Sequence, residues 1–119
     1  YTYGNMTVEG KLIVKKLEEK GIDVELVDLR SLRPLDKETI ISSFRKTKRA
    51  IVLTEARKFS GYGGEIASII QEECFDDMAA PIKRIGSMET PIPMNPILEK
   101  AYLPSHEEVI EAAEELMRY

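Results

Sequence analysis

The chain has one cysteine, Cys74, and one histidine, His106. A single thiol excludes an internal disulfide. Cys74 falls on the apolar face of a helical pattern, where a buried thiol is expected rather than a nucleophile. One imidazole, one thiol and scattered carboxylates give no metal-ligand spacing, and no Ser-His-Asp arrangement can be assembled. Positive charge is also short. A net charge of −4 excludes a general nucleic-acid binder. No apolar run reaches membrane-spanning length, and there is no signal peptide, low-complexity tract or internal repeat. The expectation is a cytoplasmic protein without membrane or nucleic-acid contacts.

What is present is a globular composition. The 119 residues are 43% hydrophobic, which suits one domain with a modest core. Tyr1-Thr2-Tyr3-Gly4 reads as the tail of a β-segment, so the chain is expected to be a piece of a longer protein. A turn at Gly4-Asn5 leads into a helix capped by Asn5 or Thr7, with Val8, Leu12, Ile13 and Leu17 inward. Gly21 stands where a helix C′ glycine belongs.

Val24 to Leu29 reads as the next strand. Pro34 disfavours helical geometry at Arg33, so an extended segment is expected there. Asp36 then caps a helix reaching about Thr47, with Ile40, Ile41 and Phe44 inward. The basic run Arg45, Lys46, Lys48 and Arg49 complements that helix's negative end.

Ala50 to Leu53 is four apolar residues in a row and reads as a buried strand. The loop that follows carries Gly61, Gly63 and Gly64. The next helix opens at about Glu65 and buries Ile66, Ile69, Ile70 and Cys74. Ligands in open α/β sheets gather where a strand's carboxyl end meets the next helix. Yet Gly61-Tyr62-Gly63-Gly64-Glu65 fits neither a dinucleotide fingerprint nor a P-loop. Glu65 also competes for the positive helix end that would hold a phosphate. The glycines are expected to serve a tight turn and close helix packing, with Glu65 as a cap. Glu55 sits at the strand's carboxyl edge, near Arg57 and Lys58, where a surface ion pair is expected. Asp28 and Arg30 lie at the matching edge of the neighbouring strand.

Asp76 to Pro81 reads as a loop and Ile82 to Ile85 as a short strand. Pro91, Pro93, Pro96 and Pro104 forbid a continuous helix between Gly86 and Pro104. One turn around Ile97 to Lys100 is compatible with them. This segment is apolar yet irregular, which points to packing against its own domain or another subunit. Ser105 to Glu108 is a capping box for a helix reaching about Arg118, with Val109, Ile110, Ala113, Leu116 and Met117 inward. His106 is expected at the surface. Strands alternating with helices argue for an α/β fold, a mostly parallel sheet covered on both faces. By this reading the domain has no self-contained active site.

Several stretches resemble one family together. They include Thr2 to Met6, Val27 to Asp36, Gly61 to Ile66, Ala80 to Arg84, Thr90 to Pro93 and Leu98 to Ser105. The series is similar to the C-terminal domain of the transketolase family, most closely the β subunit of thiamine-diphosphate-dependent 2-oxo acid dehydrogenase E1 components. A transketolase or deoxyxylulose-phosphate synthase domain is the alternative within that family. A stand-alone interaction module is the alternative outside it.

The resemblance implies a three-layer α/β/α domain (1–119) whose first, antiparallel strand is missing here. It implies an enzyme part that is inactive alone, with thiamine diphosphate and Mg²⁺ bound outside this chain. The implied partners are an E1 α subunit, a second β subunit and the E2 subunit-binding domain. Many relatives have histidine at Thr54 and an acidic E2 contact at Ala79. The candidate interface residues are therefore Glu55, Glu65, Pro91 and Pro93, with Asp76, Asp77 and the terminal carboxylate of Tyr119 for E2.

Overall fold

The structure is a computed structural model and describes residues 1–119. It contains α1 (Asn5–Glu19), α2 (Lys37–Thr47), β1 (Ile51–Arg57), α3 (Gly63–Cys74), β2 (Lys83–Ser87), α4 (Pro96–Tyr102) and α5 (His106–Leu116).

β1 and β2 pair in parallel, with Leu53 opposite Ile85. Thr2 extends this sheet, forming parallel bridges to Leu53 on one side and to Asp28 on the other. The ribbons therefore run 27–29, 1–3, β1, β2, all parallel. The expected strand over Val24 to Leu29 is reduced to that single bridge. Asp23 to Leu26 make no backbone–backbone hydrogen bonds.

Alternation along β1 divides the core. Val52 points to one face and packs with Ile40, Phe44, Ile66, Ile70 and Cys74 from α2 and α3. Leu53 points to the other face and packs with Met6, Ile13, Leu17, Val109 and Ala113 from α1 and α5. Two helices on each face of a parallel sheet make the three-layer α/β/α architecture.

Several helix ends follow the sequence closely. The Asp36 carboxylate accepts from the Thr39 amide at 3.0 Å. The Ser105 hydroxyl accepts from the Glu108 amide at 3.2 Å. Gly21 adopts φ +79°, which closes α1 as a C′ glycine does.

Others depart from it. Gly4 takes the N-cap of α1, and neither Asn5 nor Thr7 caps with its side chain. The buried stripe of α1 is Met6, Gly10, Ile13 and Leu17, which turns Val8 and Leu12 to solvent. α5 stops at Leu116, leaving Met117 exposed. Residues 32–35 form a turn rather than an extended run, with Leu32 bridged to Leu35 and the Ser31 hydroxyl donating to Pro34 O at 2.8 Å. α3 starts at Gly63 and has no side-chain cap, so Glu65 does not serve as one.

The glycine loop works by close approach. A Cβ on Gly63 would lie 3.3 Å from Val52 Cγ1, so α3 rests directly on β1. A Cβ on Gly61 would lie 2.0 Å from the carbonyl oxygen of Arg57. Only glycine fits the turn there.

Candidate functional site

β1 continues past Leu53 to Arg57, four residues beyond the apolar run. Thr54 is buried, and its hydroxyl donates to the carbonyl of Ala56 at 3.2 Å. Ser87, at the end of β2, donates to the carbonyl of Glu55 at 2.6 Å. These bonds hold the carboxyl end of the sheet where the pairing register shifts.

Glu55 is exposed on this end. It forms no ion pair with Arg57 or Lys58, so the expected surface pair is absent. Its neighbours are aromatic. Tyr3 and Tyr62 meet edge to face at 6.1 Å, and the Tyr62 hydroxyl donates to Leu32 O at 2.7 Å. Burial raises the Tyr3 hydroxyl pKa, with smaller contributions from Tyr62 and the Glu55 carboxylate. Asp28 is engaged locally, accepting from the Arg30 amide and side chain and from the Thr7 hydroxyl.

The segment after β2 straps across the same end. Met88 N donates to Tyr102 O at 3.1 Å, and the Glu89 carboxylate accepts from Phe59 N at 2.9 Å. Asn95 caps α4 by accepting from Ile97 N at 2.9 Å, with Pro96 in the first turn. The single turn expected around Ile97 is thus a two-turn helix. Tyr102 is buried and anchors it.

The outward face of the strap is apolar. Met94 is 98% exposed, Phe59 81%, Ile97 80% and Ile92 68%. Isolated exposed apolar residues are ordinary, but a contiguous group marks an interaction surface. Pro91 is exposed and Pro93 half-buried within it. Below Ile92 lies a pocket of about 380 Å³ lined also by Glu55, Arg57, Glu99 and Tyr102.

The structure therefore joins Glu55 to the proline-rich strap. Glu65 is exposed in the first turn of α3 and does not line the pocket. Phe59 was not expected here. Its only sequence signal is an aromatic residue isolated in a polar, glycine-rich loop.

Asp76, Asp77 and Tyr119 lie at the opposite, amino end of the sheet. Ala79 N donates to Lys48 O at 3.0 Å, just before β1. Asp76 is exposed, whereas Asp77 accepts from Arg45 Nε at 3.3 Å. The Glu115 carboxylate, bonded to Lys83 Nζ at 2.7 Å, raises the lysine pKa, and Tyr119 adds to this.

His106 is less exposed than expected. Its Nε2 lies 2.6 Å from a Glu9 carboxylate oxygen and its Nδ1 lies 2.9 Å from Lys16 Nζ. It ties the start of α5 to α1. Cys74 is buried, and loss of solvent raises its thiol pKa, which suits packing and not nucleophilic chemistry.

The residues present do not fit thiamine diphosphate with Mg²⁺. No group of three or more His, Cys, Asp or Glu could hold a metal ion. The pocket at the carboxyl end carries Glu55 and Glu99, which oppose a diphosphate. Glu65 occupies the start of α3. No helix is long and apolar enough to cross a membrane.

Comparison with known proteins agrees with the architecture. The family model "Transketolase, C-terminal domain" matches residues 1–109. The chain is 43% identical over 103 residues to the pyruvate dehydrogenase E1 component subunit beta of Rickettsia felis, covering 87% of this chain and 32% of that one. It is 40% identical over 102 residues to the acetoin:2,6-dichlorophenolindophenol oxidoreductase subunit beta of Bacillus subtilis, covering 86% and 30%. It is 43% identical over 103 residues to the 2-oxoisovalerate dehydrogenase subunit beta of Pseudomonas aeruginosa, covering 87% and 28%. It thus spans about a third of these relatives' length. Among solved structures, a split-gene transketolase described as an inactive beta4 tetramer superposes with a TM-score of 0.84 at 25% identity, covering 98% of this chain and 38% of that one. The chain belongs to the transketolase C-terminal domain family.

Proposed function

We propose that this chain is the C-terminal assembly and E2-docking domain of a β subunit in a thiamine-diphosphate-dependent 2-oxo acid dehydrogenase E1 component. The observation that carries the reading is its identity to such β subunits, 43% for the pyruvate enzyme and 40% for the acetoin enzyme. The exposed strap from Met88 to Leu98 supports the assembly role. Fully burying one Ile, Met or Phe side chain contributes roughly 1.5–3 kcal/mol. A partner covering Ile92, Met94, Ile97 and Phe59 gains several such increments. The partners we assign are an E1 α subunit and a second β subunit.

In this reading the domain supports oxidative decarboxylation and acyl transfer to lipoyl-E2 but is not catalytic alone. Thiamine diphosphate and Mg²⁺ bind to other segments. The choice of 2-oxo acid also lies elsewhere, because relatives named for pyruvate and for 2-oxoisovalerate are equally similar, at 43% each. A buried, unpaired Cys74 is compatible with a reducing, cytoplasmic setting. Calorimetric titration of thiamine diphosphate with Mg²⁺ into the chain tests the division of labour. No heat of binding is expected, and micromolar binding would overturn it.

For E2 we assign the amino end of the sheet, with Asp76, Asp77 and the Tyr119 carboxylate as contacts. Asp77 is engaged by Arg45, which leaves Asp76 the freer anion. The paired change Asp76→Ala/Asp77→Ala should weaken binding of an E2 subunit-binding domain at least tenfold at low salt. An unchanged affinity would remove these residues from the site.

A further inference from the structure

α1 and α5 pack on the same face of the sheet and are tied by two polar contacts. One is an ion pair, Lys20 Nζ to a Glu114 carboxylate oxygen at 2.6 Å. The other is a three-residue bridge at the start of α5. His106 Nε2 lies 2.6 Å from a Glu9 carboxylate oxygen, and Nδ1 lies 2.9 Å from Lys16 Nζ. Glu9 and Lys16 are about two helical turns apart, so both project from one side of α1. The imidazole spans the gap between them.

These two neighbours fix where the ring carries its hydrogen. An ammonium donates and cannot accept, and an ionised carboxylate accepts and cannot donate. Nδ1 therefore presents its lone pair to Lys16, and Nε2 carries the hydrogen that it donates to Glu9. This is the neutral ring. A second proton has one place to go, Nδ1, where Lys16 already points an N–H. Two donors cannot face each other across 2.9 Å. Passing the Lys16 proton to the ring does not relieve the conflict, because an alkylamine holds a proton more strongly than an imidazole by orders of magnitude.

The surroundings admit a proton and set the balance of charge. The His106 side chain is 20% exposed and that of Glu9 37%. Glu9 favours the protonated ring, as do Glu107 and Glu108 in the first turn of α5. Lys16 and the positive end of α5 oppose it. The sheet side chains packed with α5 on this face, Leu53 and Ile85, carry no charge. Lys83 of β2 is engaged with Glu115, near the other end of α5. The second tie behaves differently. The hydrogen bond from Lys20 holds the Glu114 carboxyl below the usual carboxylate range, so that pair stays ionised through the range where imidazoles ordinarily titrate.

We propose that His106 is a proton-operated latch between α1 and α5: the neutral ring bridges Lys16 and Glu9, and a proton taken up at Nδ1 expels Lys16 while the Nε2 bond to Glu9 becomes an ion pair. The proton comes from solvent, and no bond between heavy atoms is made or broken. Acidification thus adds one positive charge to this patch and turns the Lys16 ammonium out to water. The proposal is independent of the subunit reading, because none of the three residues belongs to the strap or lines its pocket.

Nuclear magnetic resonance of the full chain tests each part. At about pH 8, long-range proton–nitrogen correlation should place the ring hydrogen on Nε2. A hydrogen on Nδ1 would overturn the proposal. As the pH falls, the Lys16 side-chain resonances should move with the same midpoint as the His106 ring, while those of Lys20 stay in place. Lys16 resonances that ignore the ring's titration would also overturn it. Two substitutions on the surface of α1 complete the test. Lys16→Met should raise the His106 midpoint by about half a pH unit or more, and Glu9→Gln should lower it by a similar amount. A midpoint that ignores both changes would make His106 an ordinary surface histidine and not a latch.

Discussion

The Asp36 carboxylate accepts from the Thr39 hydroxyl at 2.6 Å and from the Thr39 amide at 3.0 Å. These bonds, the hydroxyl's first, favour the ionised form and hold the carboxyl below the usual carboxylate range. The folded chain therefore releases this proton more readily than the unfolded one. The stabilisation is present above the unfolded pKa and is lost as pH falls through the folded one. Urea denaturation at neutral and at acid pH should show a smaller acid loss of midpoint in Asp36→Asn than in the unchanged chain. An equal loss in both would place the titrating group elsewhere.

Among the elements, the local signals are the ones that could be read in advance. Asp36, Gly21 and Ser105 act within a turn of their own position, so their chemistry is visible in a few residues. Ser105→Ala should cost about 1 kcal/mol by removing the acceptor for Glu108 N, measured by chemical denaturation. No loss would mean that the Lys16 and Glu9 contacts of His106 alone fix the start of α5. The face of α1 was not legible in the same way. Val8, Leu12, Ile13 and Leu17 are all apolar at helical spacings, and hydrophobicity does not rank the possible stripes. Close approach does: a Cβ on Gly10 would lie 3.0 Å from Leu26 Cδ1, so α1 turns its glycine side inward and Val8 and Leu12 outward. The strap shows another limit. Its prolines announce irregular backbone, but α4 forms because Asn95 caps it and Tyr102 is anchored beneath it. Phe59 joins that surface through a contact with Glu89, thirty residues distant.

At the scale of the molecule, the alternation of strands and helices was enough to read an α/β fold with both sheet faces covered. The candidate site was only half legible, because sequence distance hid the meeting of Glu55 with Ile92 and Tyr102. The Cα radius of gyration is 14.0 Å, against about 13.5 Å expected for a compact chain of this length. The exposed Met94, Ile97 and Ile92 are thus an outward face of a closed body and not a loosened core. We assign subunit assembly to this face. A chimaera tests it most directly, with this chain replacing the matching third of the Rickettsia felis β subunit. Its mass is then measured by sedimentation in the presence of that enzyme's α subunit. The chimaera should form the same oligomer as the parent, and Met94→Glu/Ile97→Glu should dissociate it while leaving its circular dichroism unchanged. A doubly substituted chimaera that assembles as the parent does would contradict the account.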